Sequence, residues 1–256
     1  MLYPDPSESV IDCYDADYLD RLGDARLASI VRETKIQTFD RILTRAIRKR
    51  TPGRLLDLGC ALGYCMDAAV SLGWDAYGLD INPIAVARAR ERHGSKVWEG
   101  RIEEVDELAG TFDVVIATDV IEHTWRPKSA VLGCRKILRP GGLVVLTTVN
   151  ASSMSCRIMG KAWPHYNKEH LCYFNPANIS TLLSESGFTV VEYWNTMKVV
   201  CAGYCLTVLD TQNTPVFAPI ARSVRRFMPL ALQRFPISFP MGEFTIVGQL
   251  IEADKA

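Results

Sequence analysis

At 256 residues, with 48% hydrophobic and 23% charged side chains, the chain has an ordinary globular composition and enough length for one α/β domain with additions. Lys plus Arg equals Asp plus Glu, 29 each; this excludes the global basic field of a nucleic-acid-binding protein, so no nucleic-acid partner is expected. The 8 cysteines form no CxxC pair and no zinc-type spacing, which predicts reduced thiols and a cytoplasmic protein.

The chain opens "MLYPDPSESVIDCYDADYLD", an acidic stretch without a basic segment ahead of an apolar core, so no secretory signal is expected. No window reaches the roughly 18 apolar residues needed to span a bilayer. Tyr14 and Tyr18 in this stretch are candidates for a lid over a substrate pocket. From Ala25 to Arg50, residues Leu27, Ile30, Val31, Phe39, Ile42, Leu43 and Ile47 recur at helical spacing, predicting an amphipathic helix packed on the main domain. Residues 1–50 thus read as an N-terminal helical cap, and 51–256 as the main domain.

From Arg54 to Asn150, short apolar runs alternate with helical stretches. "RLLDLG" precedes "YCMDAAVSLG", "DAYGLD" precedes "PIAVARARERHG", and "KVWEG" precedes a short acidic segment. "FDVVIATDV" then leads to "RPKSAVLGCRKIL", and "GGLVVLTTV" closes the run. Strands that alternate with helices predict a parallel sheet covered on both faces. Further on, "NPANISTLLSESGF" reads as a helix capped by Asn175 with Pro176 in its first turn. "TVVEYWN" and "FTIVGQLIEA" read as two final strands that pair antiparallel at one sheet edge. The fold class is therefore α/β, Rossmann-like, with seven strands. Residues 196–243 between the last two strands are locally basic, amphipathic and broken by Pro229, Pro236 and Pro240. They read as an inserted cap, or as a segment that rests on a membrane or a lipid substrate.

"LLDLGCALGYC" is the most informative stretch. A strand ends at Leu58, and Gly59 and Gly63 bracket a tight turn into a helix, where unpaired N–H groups await a ligand. A nicotinamide fingerprint needs glycine where Ala61 stands and another shortly after Gly63, where Tyr64 follows; a nicotinamide oxidoreductase therefore fits poorly. Asp57 at the strand end would repel a diphosphate but suits a cationic ligand. Asp80, 23 residues after Asp57, ends the next strand, where a carboxylate can accept hydrogen bonds from ribose hydroxyls; helix capping is its other use, although Asn82 is already available for that.

"LLDLGCALGYC", "YGLDINP", "WEGRIEEV", "FDVVIATDVIEHTWRP" and "ILRPGGLVVLTTVN" resemble the successive motifs of class I S-adenosylmethionine-dependent methyltransferases. The similarity covers roughly residues 50–195, toward the branch with ubiquinone-biosynthesis O-methyltransferases and small-molecule tailoring enzymes. It implies strand order 3-2-1-4-5-7-6 with the last strand antiparallel. It also implies S-adenosyl-L-methionine as cofactor, with S-adenosyl-L-homocysteine as product. Gly59, Cys60, Ala61 and Gly63 would wrap its methionine part, Asp57 its amino group, and Asp80 its ribose. Ile81, Arg101 and Ile102 would border the adenine, and Asp119, Val120 and Ile121 the floor beneath the sulfonium. The family's middle glycine is Ala61 here.

His93, just before Gly94, reads as a structural residue at a helix C-terminus. His123, in "DVIEHTWRP", follows the fourth strand at the edge where ligands bind; it reads either as a pocket residue or as a structural hydrogen-bond partner. "WPHYNKEHLCYF" follows the fifth strand, and the resemblance puts such a segment on the acceptor side. Methyl transfer requires the nucleophile to be aligned and its proton removed. His170, oriented by Glu169 or another carboxylate, is the leading candidate base, with His165 second. Trp163, Tyr166, Tyr173 and Phe174 are candidates for the acceptor wall. No metal is expected, because His165, Glu169 and His170 are poorly spaced as a ligand set. The expected activity is O-methylation of a small-molecule, glycan-intermediate or lipid hydroxyl. The alternatives are N- or C-methylation, or a non-catalytic module that binds the cofactor.

Overall fold

The computed structural model describes residues 25–211 and 217–251; the Tyr14 and Tyr18 expectations lie outside them. A seven-stranded sheet has the order β3-β2-β1-β4-β5-β7-β6. Its strands are β1 (Arg54–Leu58), β2 (Asp75–Asp80), β3 (Val97–Glu99), β4 (Phe112–Thr118), β5 (Leu138–Val149), β6 (Phe188–Cys201) and β7 (Pro236–Leu250). The first five pair in parallel, and β7 lies antiparallel between β5 and β6. The expected order and the antiparallel last strand are both present.

The helices are α1 (Ala25–Ile47), α2 (Tyr64–Ser71), α3 (Pro83–His93), α4 (Pro127–Ile137), α5 (Met154–Met159), α6 (Pro176–Glu185), α7 (Ala202–Thr211), α8 (Phe217–Phe227) and α9 (Leu230–Gln233). Alternate strand residues serve opposite faces, as the two-residue period requires. Leu56 and Val115 pack with Val131, Ile137, Ile179 and Leu183 of α4 and α6. Leu55, Val114 and Ile116 pack with Leu43, Ala69 and Val86 of α1, α2 and α3. Both faces are thus covered, which suits strands that are apolar throughout. Asn82 caps α3, its side chain accepting from the Ile84 and Ala85 amides. Asn175 and Asn178 form a reciprocal capping box on α6.

The last two strands run longer than the sequence suggests. β7 pairs with β5 only as far as Val149 opposite Glu243, whereas its ladder with β6 continues to Cys201 opposite Pro236. Pro236 and Pro240 read as strand breakers, yet they sit where β7 has already left β5 and needs no partner on that side. The β6–β7 hairpin therefore extends past the carboxyl ends of the parallel strands. The insertion between the two strands is the helical stretch α7 to α9, shorter than the 196–243 of the sequence reading.

Candidate active site

The carboxyl ends of β1, β2 and β4 meet over the glycine turn. Gly59, Ala61 and Gly63 all have positive φ, at 73°, 43° and 74°. A side chain at Gly59 would collide with Val120, so that position needs glycine for space as well as for conformation. The Gly59 and Cys60 amides both donate to the Leu79 carbonyl. The Ala61 amide donates to Asp80 Oδ2 at 2.8 Å, and the Asn82 amide to Asp80 Oδ1 at 2.8 Å. Asp80 thus clamps the turn, while Asn82 takes the helix-capping role.

Asp57 and Asp80 are both buried, 3% and 5% exposed. Burial, then the neighbouring Asp80, pushes the Asp57 carboxyl well above the usual carboxylate range, and the Cys65 thiol hydrogen-bonds to it. Asp57 Oδ2 is buried without a hydrogen-bond partner. Burial also raises Asp80, although amide bonds from Asn82, Ala61 and Ile81 oppose the shift. Two buried carboxyls thus stand at the ends of adjacent strands, each raised above its ordinary value by burial. α3 braces the turn from behind. His93 Nε2 lies 3.0 Å from Asp67 Oδ1 and 3.2 Å from the Gly63 carbonyl, and Arg92 bonds the Leu62 carbonyl. His93 is structural, as expected, but it acts through this contact and not only through the helix dipole.

The other expected cofactor residues divide. Asp119, Val120 and Ile121 follow β4, with Asp119 at φ 56° and Ile121 buried at 3%. Ile81 is half-buried and Arg101 exposed. Ile102 belongs to the core, where it lies against Gly133 of α4.

Across the crevice the histidines gather. The His123 and His170 rings are edge to face at 4.8 Å, and those of His165 and His170 are stacked at 6.0 Å. The His123 ring bonds the Glu169 carbonyl at 2.9 Å. The Glu169 side chain is exposed, so the sequence reading of its carboxylate as the orienting group needs correction: Glu169 meets the cluster through its backbone. Burial, then His123 and His165, lowers His170 to about 4, and the ring bonds the His165 backbone while Nδ1 is buried without a partner. The imidazole is therefore neutral across the physiological range and does not titrate near pH 7.

Three further ionisable residues complete the cluster: Glu122, of the Glu-His pair in "DVIEHTWRP", and two that the sequence does not point to, Lys198 and Glu243. Lys198 Nζ lies 2.8 Å from Asp119 Oδ2 and 2.7 Å from Glu243 Oε1. Glu243 Oε1 is 3.7 Å from His165 Nε2. Glu122 is fully buried, accepting from the Thr148 hydroxyl at 2.8 Å. Burial, then Asp119, drives Glu122 up to about 8. Burial raises Glu243 to about 7 although Lys198 opposes it. Burial would also raise Asp119, but the Lys198 cation outweighs it and holds that carboxyl below its ordinary value. A lone lysine inside the apolar "TMKVVC" and a lone glutamate opening "EFTIV" are the only local signals of the pair. Glu122, His123 and His170 each offer a donor atom, and these atoms lie within 4.8 Å of one another. A metal ion could share such a set, which the sequence reading did not consider.

The aromatic residues divide as well. Trp163 is 1% exposed and makes edge contacts with His165 and Tyr166 at 4.8 and 5.1 Å. Phe174 is core. Tyr173 is half-buried and lies 6.0 Å from the His170 ring. Tyr166 is exposed, its hydroxyl 3.4 Å from the Cys156 thiol.

A family model described as a methyltransferase domain matches residues 28–193. A ubiquinone biosynthesis O-methyltransferase of Cereibacter sphaeroides is 31% identical over 151 residues, covering 54% of this chain and 61% of the relative. One of the same name from Xanthomonas campestris is 34% identical over 112 residues, covering 41% of this chain and 47% of the relative. The chain thus spans less than two thirds of these relatives' length. Among solved structures, magnesium protoporphyrin IX methyltransferase from Synechocystis, with bound S-adenosylhomocysteine, superposes with a TM-score of 0.60 at 14% identity. That match covers 94% of this chain and 98% of the other, and at such identity it speaks for the fold alone.

Proposed function

The chain belongs to the class I S-adenosylmethionine-dependent methyltransferase family, and on that premise we propose that it methylates an oxygen of a small-molecule, glycan-intermediate or lipid hydroxyl, with histidine-assisted deprotonation. The paired buried carboxylates carry the cofactor half of this reading. The ligand is cationic at its ammonium and sulfonium ends, and the unpartnered Asp57 Oδ2 is suited to the ammonium. Asp80 retains a lone pair beyond its three amide bonds, able to accept from a ribose hydroxyl. Gly59 leaves room for close approach, and Ala61, despite its methyl group, already has the turn conformation. The residues present fit the cofactor.

When bound, S-adenosylmethionine supplies an activated methyl carbon for in-line attack. The chain then has two tasks: to orient the acceptor hydroxyl and to take its proton. His170 is kept neutral by burial, so its Nδ1 lone pair is available as an acceptor at neutral pH. Lys198, held between Asp119 and Glu243, fixes the carboxylates beside the acceptor side. Glu243 and Glu122, near 7 and 8, change charge in the working range. In this reading the insertion before β7 caps the acceptor, with Trp163, Tyr166 and Tyr173 as its wall.

The test is transfer of labelled methyl from S-adenosylmethionine to a panel of phenols, sugar hydroxyls and lipid-linked hydroxyls. His170→Ala lowers turnover by roughly 10²-fold or more while leaving S-adenosylhomocysteine affinity unchanged. Transfer to amines or carbon acids, with none to any hydroxyl, would overturn the oxygen assignment. Cofactor binding without transfer to any acceptor would replace it with the non-catalytic reading.

A further inference from the structure

α8 presents its apolar face to solvent. Ile220, Val224 and Phe227 recur four and three residues apart on one side of that helix and are 56%, 41% and 81% exposed, whereas Ala221, a quarter-turn away, is 3% exposed. A helix that packs on its own domain turns such a stripe inward. The exposed apolar surface continues beyond α8, with Leu232 at 55%, Phe235 at 63% and Ile237 at 43%. The Gln233 side chain donates to the Arg225 and Met228 carbonyls and so ties α9 to the end of α8.

The charge of this segment has one sign. Between Phe217 and Ile237 stand Arg222, Arg225, Arg226 and Arg234, with no aspartate or glutamate, in a chain whose net charge is zero. Arg222, Arg226 and Arg234 are exposed. An apolar stripe flanked by arginines is the pattern of a helix lying in the plane of an anionic lipid surface, apolar side down and cations at headgroup level. None of the described helices is long and apolar enough to cross a membrane, so contact through them is peripheral.

We propose that α8, α9 and the start of β7 form a docking surface for an anionic lipid bilayer. Its position is set by the overrun of the last two strands. The hairpin carries these helices past Val149, the carboxyl end of β5, on the edge where Lys198 and Glu243 enter the histidine cluster. Docking would thus bring the mouth of that cluster toward the lipid surface. The surface stands on exposure and charge alone and does not depend on which acceptor is methylated.

The experiment is sedimentation of the full chain with phosphatidylglycerol vesicles and with phosphatidylcholine vesicles. The bound fraction is about fivefold or more greater on the anionic vesicles and falls as salt rises from about 0.1 to 0.5 M. Phe227→Ser with Phe235→Ser, and separately Arg222→Ser with Arg226→Ser, each reduce it by about fivefold or more. Unchanged S-adenosylhomocysteine affinity shows that the variants are folded, since none of the four residues belongs to the glycine turn or to the strand ends beside it. Equal binding to both lipids, or variants that bind like the parent, would overturn the proposal. So would a dimer that Phe227→Ser dissociates in the absence of vesicle binding, which would make the surface a contact between copies of this chain.

Discussion

Asp80 Oδ2 accepts the Ala61 amide at 2.8 Å, so the carboxylate that ends the second strand holds shut the turn that ends the first. Ala61 is there at φ 43°, a left-handed conformation that a side chain disfavours by about 1–2 kcal/mol. The hydrogen bond to a buried carboxylate offsets that strain.

Ala61→Gly should therefore stabilise the protein. The relieved strain exceeds the extra freedom that glycine gives the unfolded chain, for a net gain of about 0.5–1 kcal/mol and a melting temperature higher by about 1–4 °C. Ala61→Val should lower it. Differential scanning calorimetry with and without S-adenosylhomocysteine checks both, and the glycine variant should bind the ligand at least as tightly as the parent.

Glu122 makes the fold sensitive to pH. Its folded pKa, about 8, lies above the 4.5 of a free glutamate, so between those values the folded state holds the proton that the unfolded state has released. This contribution is fully present below about pH 4.5 and is lost as pH rises through 8. Glu122→Gln removes the charge and keeps the shape. Relative to the parent it should gain stability steadily from pH 5 to pH 8.5, on the order of a few kcal/mol at the upper end. Urea unfolding at several pH values measures the difference; a constant offset across the range would show that the Glu122 carboxyl is not raised in the folded state.

Lys198 joins two carboxylates that would otherwise face each other. Lys198→Met should cost roughly 2–4 kcal/mol, because Asp119 and Glu243 lose the cation between them. Adding Glu243→Gln should restore part of that loss. A double-mutant cycle by denaturant unfolding reads the coupling, and simple additivity would mean that the three groups do not act as a unit.

The pH dependence of turnover should follow Glu243 and not His170. Burial keeps His170 near 4, below the usual assay range, whereas Glu243 at about 7 changes charge within it. Glu243→Gln should remove the limb of the kcat profile near pH 7. A limb that persists in Glu243→Gln and disappears in His170→Gln would reverse the assignment.

What could be read from the sequence was whatever lies close together along the chain. Gly59, Gly63, Asp57 and Asp80 stand at the ends of two adjacent strands, and their spacing reflects one βαβ unit, so the turn and its two carboxylates are legible. Asn82 and Asn175 announced their helices for the same reason. The histidine cluster is assembled across the fold. Lys198 and Glu243 meet Asp119 from strands remote in sequence, and the one local mark of each is a lone charge in an apolar strand. Glu169 misled because adjacency to His170 says nothing about which way a loop side chain turns; in the structure it faces solvent. The overrun of β6 and β7 was hidden by Pro236 and Pro240, whose usual meaning lapses where a strand has a neighbour on one side only.

The most direct test is calorimetric titration with S-adenosylhomocysteine at pH 7, in two buffers of different ionisation enthalpy. The parent should bind one ligand per chain and release protons, because the ligand's ammonium draws the raised Asp57 carboxyl back into its charged form. Asp80→Ala should lose about tenfold or more in affinity, and Asp57→Asn should lose affinity together with the proton release. Affinity unaffected by either substitution, or proton release that survives in Asp57→Asn, would mean that these two buried carboxylates do not hold the cofactor.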